Sequence, residues 1–342
     1  MSTKVIVRIW AAPDMETTIG IVIPTRGRGK LLRRLLCHLA HQPQRHAVTV
    51  CVVHDGEECA CQTSKETPLP EQHISQTRAG PAAARNRGVE VLNTQWLVFL
   101  DDDCVPQPDY LKELLLLCAQ SPPAVYAGQI VGTSGHTVVG RFLKRTALLE
   151  SHSNNGRPIG AFAPTANLIV HSSIFRALGG FAEQFRVPGG EDNFFCLKML
   201  QHGFEMCAAQ CVSVHHDNDC TLGEFLRRFY WYGRGFCRLL EETRDIPRSA
   251  SMQSAIDSMS TGLEIYTATF RDLLLRCPRI IRQASSMLSR YSTDQVGRAP
   301  LAYKALALAS EFAYQFGAVV EFRKCRALHP SRRGRQTAKS NG

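Results

Sequence analysis

Between Ile19 and Arg28 the chain runs through a β-branched apolar stretch and stops in a turn that carries Pro24 and Gly27. From Leu31 to Leu39 the leucines recur at helical spacing, which predicts an amphipathic helix. A second β-branched run, Val48–Val53, stops at His54-Asp55-Gly56. A Gly/Ala-rich turn, Gly80–Gly88, then opens another helix, and Trp96–Leu100 forms a third apolar run. Strand, helix, strand, helix, strand at this spacing predicts an α/β unit built on a parallel sheet. Right-handed crossovers place the turns that follow such strands along one edge, where ligands bind. Thr25, Asp55 and the Asp101–Asp103 cluster are therefore expected to meet there.

The second half is patterned differently. Thr165–Val170 reads as a strand and is followed by the segment Ser172–Phe181. Pro188-Gly189-Gly190-Glu191-Asp192 enters a helical pattern marked by Phe195, Leu197, Leu200 and Gly203. Val212 and Val214 lead to His215 and His216, and Phe225–Phe236 interleaves arginines with aromatics. That basic aromatic helix has three readings: it holds diphosphate or stacks on sugar, it rests on a membrane surface, or it packs with its arginines in water. Leu263–Leu275 and Ala299–Phe322 look helical, and Glu241–Ser260 makes a polar joint. Pro330–Gly342 is polar and basic and is predicted to be disordered.

With 342 residues and 44% hydrophobic content, the chain can bury a substantial core and carry an appendage. The predicted layout is a catalytic domain over about residues 1–240, a helical extension over about 241–329 and a basic tail over 330–342. The thirteen cysteines are scattered, and Met1–Trp10 lacks the apolar core of a secretory leader, which predicts reduced thiols and a cytoplasmic setting. Cys59, Cys61, Cys207, Cys211 and His215 raise zinc as a question, but their spacings match no common zinc module. Lys304, Glu311 and Gln315 interrupt Leu301–Val320, so it is not expected to span a membrane. Arginines from Arg271 to Arg335 fit either reversible contact with anionic lipid or a solvated basic face. No nucleic-acid motif accompanies the net charge of +10.

Asp101, Asp102 and Asp103 stand where the Trp96–Leu100 strand leaves the core. Three adjacent carboxylates there need a compensating cation. Mn²⁺ or Mg²⁺ prefers such oxygens and also bridges phosphates, so a diphosphate is the natural client in a basic chain. The competing reading is an acidic turn or a helix start ahead of Pro106, Pro108 and Asp109.

Taken in order, Val22–Arg26, Val53–Gly56, Ala84–Gly88, Phe99–Asp103 and Gly190–Asp192 resemble the motifs of family 2 glycosyltransferases. The resemblance spans roughly Ile19 to Cys237 and implies the GT-A fold, a Rossmann-like, mostly parallel sheet flanked by helices, here with a C-terminal helical extension. It implies a nucleotide-binding half over about 17–120 and an acceptor-side half over about 121–240. It puts Pro24, Thr25 and Arg26 in a nucleotide pocket, has Asp55 hydrogen-bond the base, and turns Arg85 toward the nucleotide or its phosphates. Asp101, Asp102 and Asp103 become the DxD element, with Asp103 the first choice as metal ligand and Asp101 beside it. Asn167 and Gly190 fall on the acceptor side. The acidic pair Glu191 and Asp192 supplies the catalytic base, with Asp192 preferred, although the same pair also suits a helix N-terminus. A closing histidine reaches the metal or diphosphate; His216 fits its spacing slightly better than His215.

The implied reaction is metal-dependent transfer of a sugar from a nucleotide-diphosphate donor, UDP by default, to an acceptor hydroxyl with inversion. The acceptor is carbohydrate, lipid-linked or a small molecule, in a bacterial cytoplasm or at the inner face of the membrane. Two other classes remain: a nucleotidyltransferase, which lacks here its usual Gly-rich, Lys-bearing loop, and a non-catalytic nucleotide-sugar or glycan-binding protein on the same scaffold.

Overall fold

The computed structural model describes residues 17–56, 68–133, 135–146, 162–244, 246, 252–253 and 301–328. Strand β1 (Ile19–Thr25) pairs on one side with β2 (Val48–Asp55) and on the other with β4 (Trp96–Leu100). Its two faces are both covered. Ile19, Ile21 and Ile23 pack with Leu32, Leu35, Leu36 and Leu39 of helix α1 (Gly29–Ala40). Val22 packs with Ala82 and Ala84 of helix α2 (Pro81–Val91). A strand buried on both faces reads as a continuous apolar run, which is why β1, β2 and β4 stand out in the sequence.

β3 (Glu71–Gln76) extends this block beyond β2, giving four parallel strands. The sheet then changes character. β7 (Asn167–His171) runs antiparallel to β4 and to β6 (Val125–Gly132). β8 (Met206–His216) runs parallel to β6, and the short β5 (Cys104–Pro106) closes the far edge antiparallel to β8. The order among the described strands is β3–β2–β1–β4–β7–β6–β8–β5. β7 begins two residues later than the pattern predicts, because Pro164 to Asn167 forms a turn closed by the Asn167 amide.

Helix α3 (Tyr110–Gln120) packs on β8, α4 (Val138–Thr146) lies beyond β6, and α5 (Ser172–Ala177) follows β7. α6 (Glu191–Gln201) precedes β8. The basic aromatic segment is helix α7 (Leu222–Glu242), opened by a capping box between Thr221 and Glu224. Helix α8 (Leu301–Leu328) lies along it. The two helices touch through glycine: a side chain on Gly233 would meet the Tyr314 carbonyl, and one on Gly317 would meet the Tyr230 carbonyl. Arg234 on α7 is buried there, donating from Nε and Nη2 to Glu321 on α8 and stacking on Trp231 at 4.8 Å. That arginine is a packing element, not a solvated one. The predicted Leu263–Leu275 helix, the basic tail, Cys59 and Cys61 lie outside the described residues, as does most of the Glu241–Ser260 joint. No helix among the described residues is long and apolar enough to cross a membrane.

Candidate active site

The carboxyl ends of β1, β2 and β4 open onto one cavity of about 630 Å³. Pro24, Thr25, Arg26, Asp55 and Asp101 line it from these strand ends, and Arg85 lines it from α2. Gly190, Glu191 and Asp192 face it from the start of α6, and His216 from the end of β8. Trp231 and Tyr232 of α7 and Tyr314 of α8 close the remaining wall.

The acidic cluster is a turn between β4 and β5, and each acid has a different environment. Asp101 faces the cavity and takes a 2.8 Å hydrogen bond from Arg85 Nη2. Asp102 is fully buried behind the wall, where Thr25 Oγ1 donates to it at 2.7 Å and Arg28 pairs with it. Burial pushes its carboxyl up to about 7 despite Arg28. Asp103 Oδ2 accepts from Arg28 Nη1 at 2.8 Å. Its other oxygen, Oδ1, is buried with no hydrogen-bond partner and lies 3.5 Å from His216 Nε2. Burial works against the Asp103 charge, but His216 and Arg28 outweigh it and hold this carboxyl at about 2. The β5–β8 register, with Cys104 opposite His216, creates this approach across a long sequence separation. His215 pairs with Val105 and does not line the cavity.

Across the cavity, Gly190 holds φ 94, a left-handed conformation that suits glycine, and α6 starts immediately after it. Glu191 and Asp192 thus occupy the first helical turn, where the helix dipole favours negative charge. Glu191 is fully engaged: Oε1 accepts from Arg85 Nη1 at 3.0 Å and Oε2 from the Gly189 amide at 2.8 Å. Asp192 accepts one bond, from the Asn193 amide, and burial together with the neighbouring Glu191 charge raises its carboxyl to about 7. A carboxyl that titrates near neutrality beside a cavity can take a proton from a substrate hydroxyl.

Residues 20–179 match the family model described as glycosyl transferase family 2. The match covers 160 of the 342 residues, so over β1 to α5 the chain is similar to that family. The pre-mycofactocin glycosyltransferase of Mycobacterium tuberculosis is 27% identical over 260 residues, covering 72% of this chain and 53% of its own length. Glycosyltransferase AglE of Haloferax volcanii is 25% identical over 225 residues, covering 64% of this chain and 72% of its own. The chain spans about half the length of the mycobacterial relative. Among solved structures, a mannosyltransferase from Pyrobaculum calidifontis, in complex with GDP-Man and Mn²⁺, superposes with a TM-score of 0.57 at 14% identity. That likeness covers 91% of this chain and 88% of that one.

The contacts bear on three sequence expectations. Asn167 does not reach the cavity: it is buried, accepting from Tyr110 Oη and donating to the Gln129 and Val212 carbonyls. Arg85 lines the cavity, but Nη1 and Nη2 are committed to Glu191 and Asp101, so it ties the two acidic walls together. Asp55 also lines the cavity with both oxygens occupied, by Gln76 Nε2 and the Ala79 amide on one and the Gly80 amide on the other. It shapes the turn that leads into α2. Among the described residues no three His, Cys, Asp or Glu side chains gather as a metal-binding group; Asp103 and His216 approach as a pair. Arg28 and Tyr314 carried no individual signal in the sequence and reach the site through the fold, whereas Trp231 and Tyr232 lie on the basic aromatic segment for which stacking on sugar is one reading.

Proposed function

We propose that this protein is a glycosyltransferase that moves a sugar from a nucleoside-diphosphate donor to an acceptor hydroxyl with inversion, using a divalent ion and Asp192 as general base. The observation that carries the reading is Asp192 itself, a cavity-facing carboxyl raised to about 7, opposite the acids at the end of β4. Asp192 would accept the acceptor hydroxyl's proton as that oxygen attacks the anomeric carbon on the face away from the diphosphate. Glu191, held by Arg85 and the Gly189 amide, would keep α6 and hence Asp192 in place.

Mn²⁺ or Mg²⁺ would be held by Asp103 and His216. Asp103 Oδ1 is buried with no hydrogen-bond partner, 3.5 Å from His216 Nε2, a carboxylate and imidazole pair that suits a shared divalent ion. When bound, the ion supplies electrostatic stabilisation of the departing diphosphate. Thr25 and Arg26 line the cavity on the side assigned to the nucleotide, and Trp231 and Tyr232 offer aromatic surface to a sugar. UDP and GDP donors are the first to test, since the structurally similar mannosyltransferase carries GDP-Man with Mn²⁺. The acceptor is a carbohydrate, a lipid-linked glycan or a small molecule, and the basic C-terminal part is a proposed site of peripheral membrane contact.

Hydrolysis of UDP-, GDP- and dTDP-sugars with Mn²⁺, Mg²⁺ or EDTA tests this reading. Metal-dependent release of one nucleoside diphosphate, lost in Asp103→Ala, is the expected result. Pyrophosphate release would move the assignment to nucleotidyl transfer. Donor binding without turnover under any condition would leave a binding protein.

A further inference from the structure

Arg28 sits on a glycine-flanked turn between β1 and α1, with Gly27 at φ 65 before it and Gly29 after it. Its side chain is 45% exposed and lines the cavity, yet its guanidinium is committed to two acids behind the wall. Nε donates to Asp102 Oδ2 at 3.1 Å, Nη2 pairs with Asp102 Oδ1, and Nη1 donates to Asp103 Oδ2 at 2.8 Å. Asp102 has a second donor in Thr25 and no exposed surface. Asp103 is different, because it stands between Arg28 on one oxygen and His216 on the other. One carboxylate thus serves both an arginine and the assigned metal position.

A divalent ion and a guanidinium compete electrostatically for the same carboxylate. A diphosphate entering the cavity offers the guanidinium another anionic acceptor, whose paired oxygens it can bind bidentately, and Arg28 already lines that space. We propose that Arg28 is a positioning residue that couples metal binding to donor binding. In the nucleotide-free site it neutralises Asp103 and lowers metal affinity; when the diphosphate arrives, Arg28 turns to the phosphates and releases Asp103 to the ion. The inference rests on Asp103 being a metal ligand. It adds that the ion binds well only in the company of the nucleotide, which spares the empty site from holding metal without substrate. By reciprocity the ion raises nucleotide affinity by the same factor.

Mn²⁺ binding followed by electron paramagnetic resonance, without nucleotide and with saturating UDP or GDP, tests this in wild type and Arg28→Gln. Wild type is expected to bind Mn²⁺ at least about tenfold more tightly with the matching nucleotide than without it. Arg28→Gln is expected to bind Mn²⁺ alone at least about tenfold more tightly than wild type, with a smaller further gain from the nucleotide. A purely structural arginine would not raise metal affinity when removed. Arg28→Lys keeps a cation for Asp102 but cannot fork across both acids, so it should fall between the two and serves if Arg28→Gln does not fold. Nucleotide-free Mn²⁺ affinity equal to or below wild type in a folded variant overturns the coupling. If wild type binds no Mn²⁺ even with UDP or GDP, the metal assignment itself fails, and the coupling with it.

Discussion

Asp192 and Glu191 are neighbours in sequence with different partners, and those partners underlie the different roles proposed for them. Glu191 spends both oxygens on Arg85 and the Gly189 amide, whereas Asp192 lines the cavity with one hydrogen bond, from the Asn193 amide, and a carboxyl raised to about 7. A base with that value should give kcat/KM a limb that rises with pH and levels off above about 7, read from rates between pH 5.5 and 9. The same shift affects stability. The ordinary value is 3.8, so the folded chain holds this proton more tightly than the unfolded one. The associated stability is complete below about pH 4 and is lost as pH rises through about 7. Asp192→Asn should therefore melt higher than wild type at pH 8, by on the order of 1–3 kcal/mol in unfolding free energy. Arg85 makes the converse case. It is buried between Asp101 and Glu191, so Arg85→Met leaves two acids without their counter-charge. Urea unfolding should show a loss on the order of 3–5 kcal/mol. The acids were legible in the sequence because the motifs name them. The commitments of Arg85 and Asp55 were not, because a motif marks a residue's address and leaves its hydrogen-bond partners to the fold.

At the scale of elements, strands buried on both faces announced themselves and the others did not. β1, β2 and β4 are apolar runs, whereas Glu71–Gln76 has a single aliphatic residue, Ile74, and gives no run to detect. β5 has three residues, yet its register with β8 sets Asp103 beside His216. No local pattern encodes that pairing, which joins strands on either side of most of the acceptor half. The α7–α8 contact is likewise invisible in periodicity, because what matters is the absence of a side chain at Gly233 and Gly317. Gly317→Val would drive methyl groups into the Tyr230 carbonyl and push the helices apart. The expected cost is about 1–3 kcal/mol in thermal or urea unfolding, with weaker substrate binding because Tyr314 and Trp231 line the cavity from these helices.

For the whole molecule, the sequence anticipated that Thr25, Asp55 and the acids after β4 meet on one edge, and Thr25, Asp55 and Asp101 do line one cavity. It also placed a helical extension after the catalytic part. What it did not reveal is that α8 folds back to complete the cavity wall. Phe142, Phe225 and Phe229 share a core with Leu306 and Ala307 of α8. A chain ending at residue 300 would expose that face and open the site, so it should aggregate on size-exclusion chromatography. In the proposed site His216, with Asp103 behind it, and Asp192 belong to one cavity, the first two as the assigned metal position and the third as the assigned base. The decisive measurement is nucleoside diphosphate release by Asp192→Asn beside wild type, with donor binding measured on the same samples. Unchanged donor affinity with turnover down about 10²- to 10⁴-fold is the expected result. Turnover within a few-fold of wild type would remove Asp192 from the chemistry and with it the proposed mechanism.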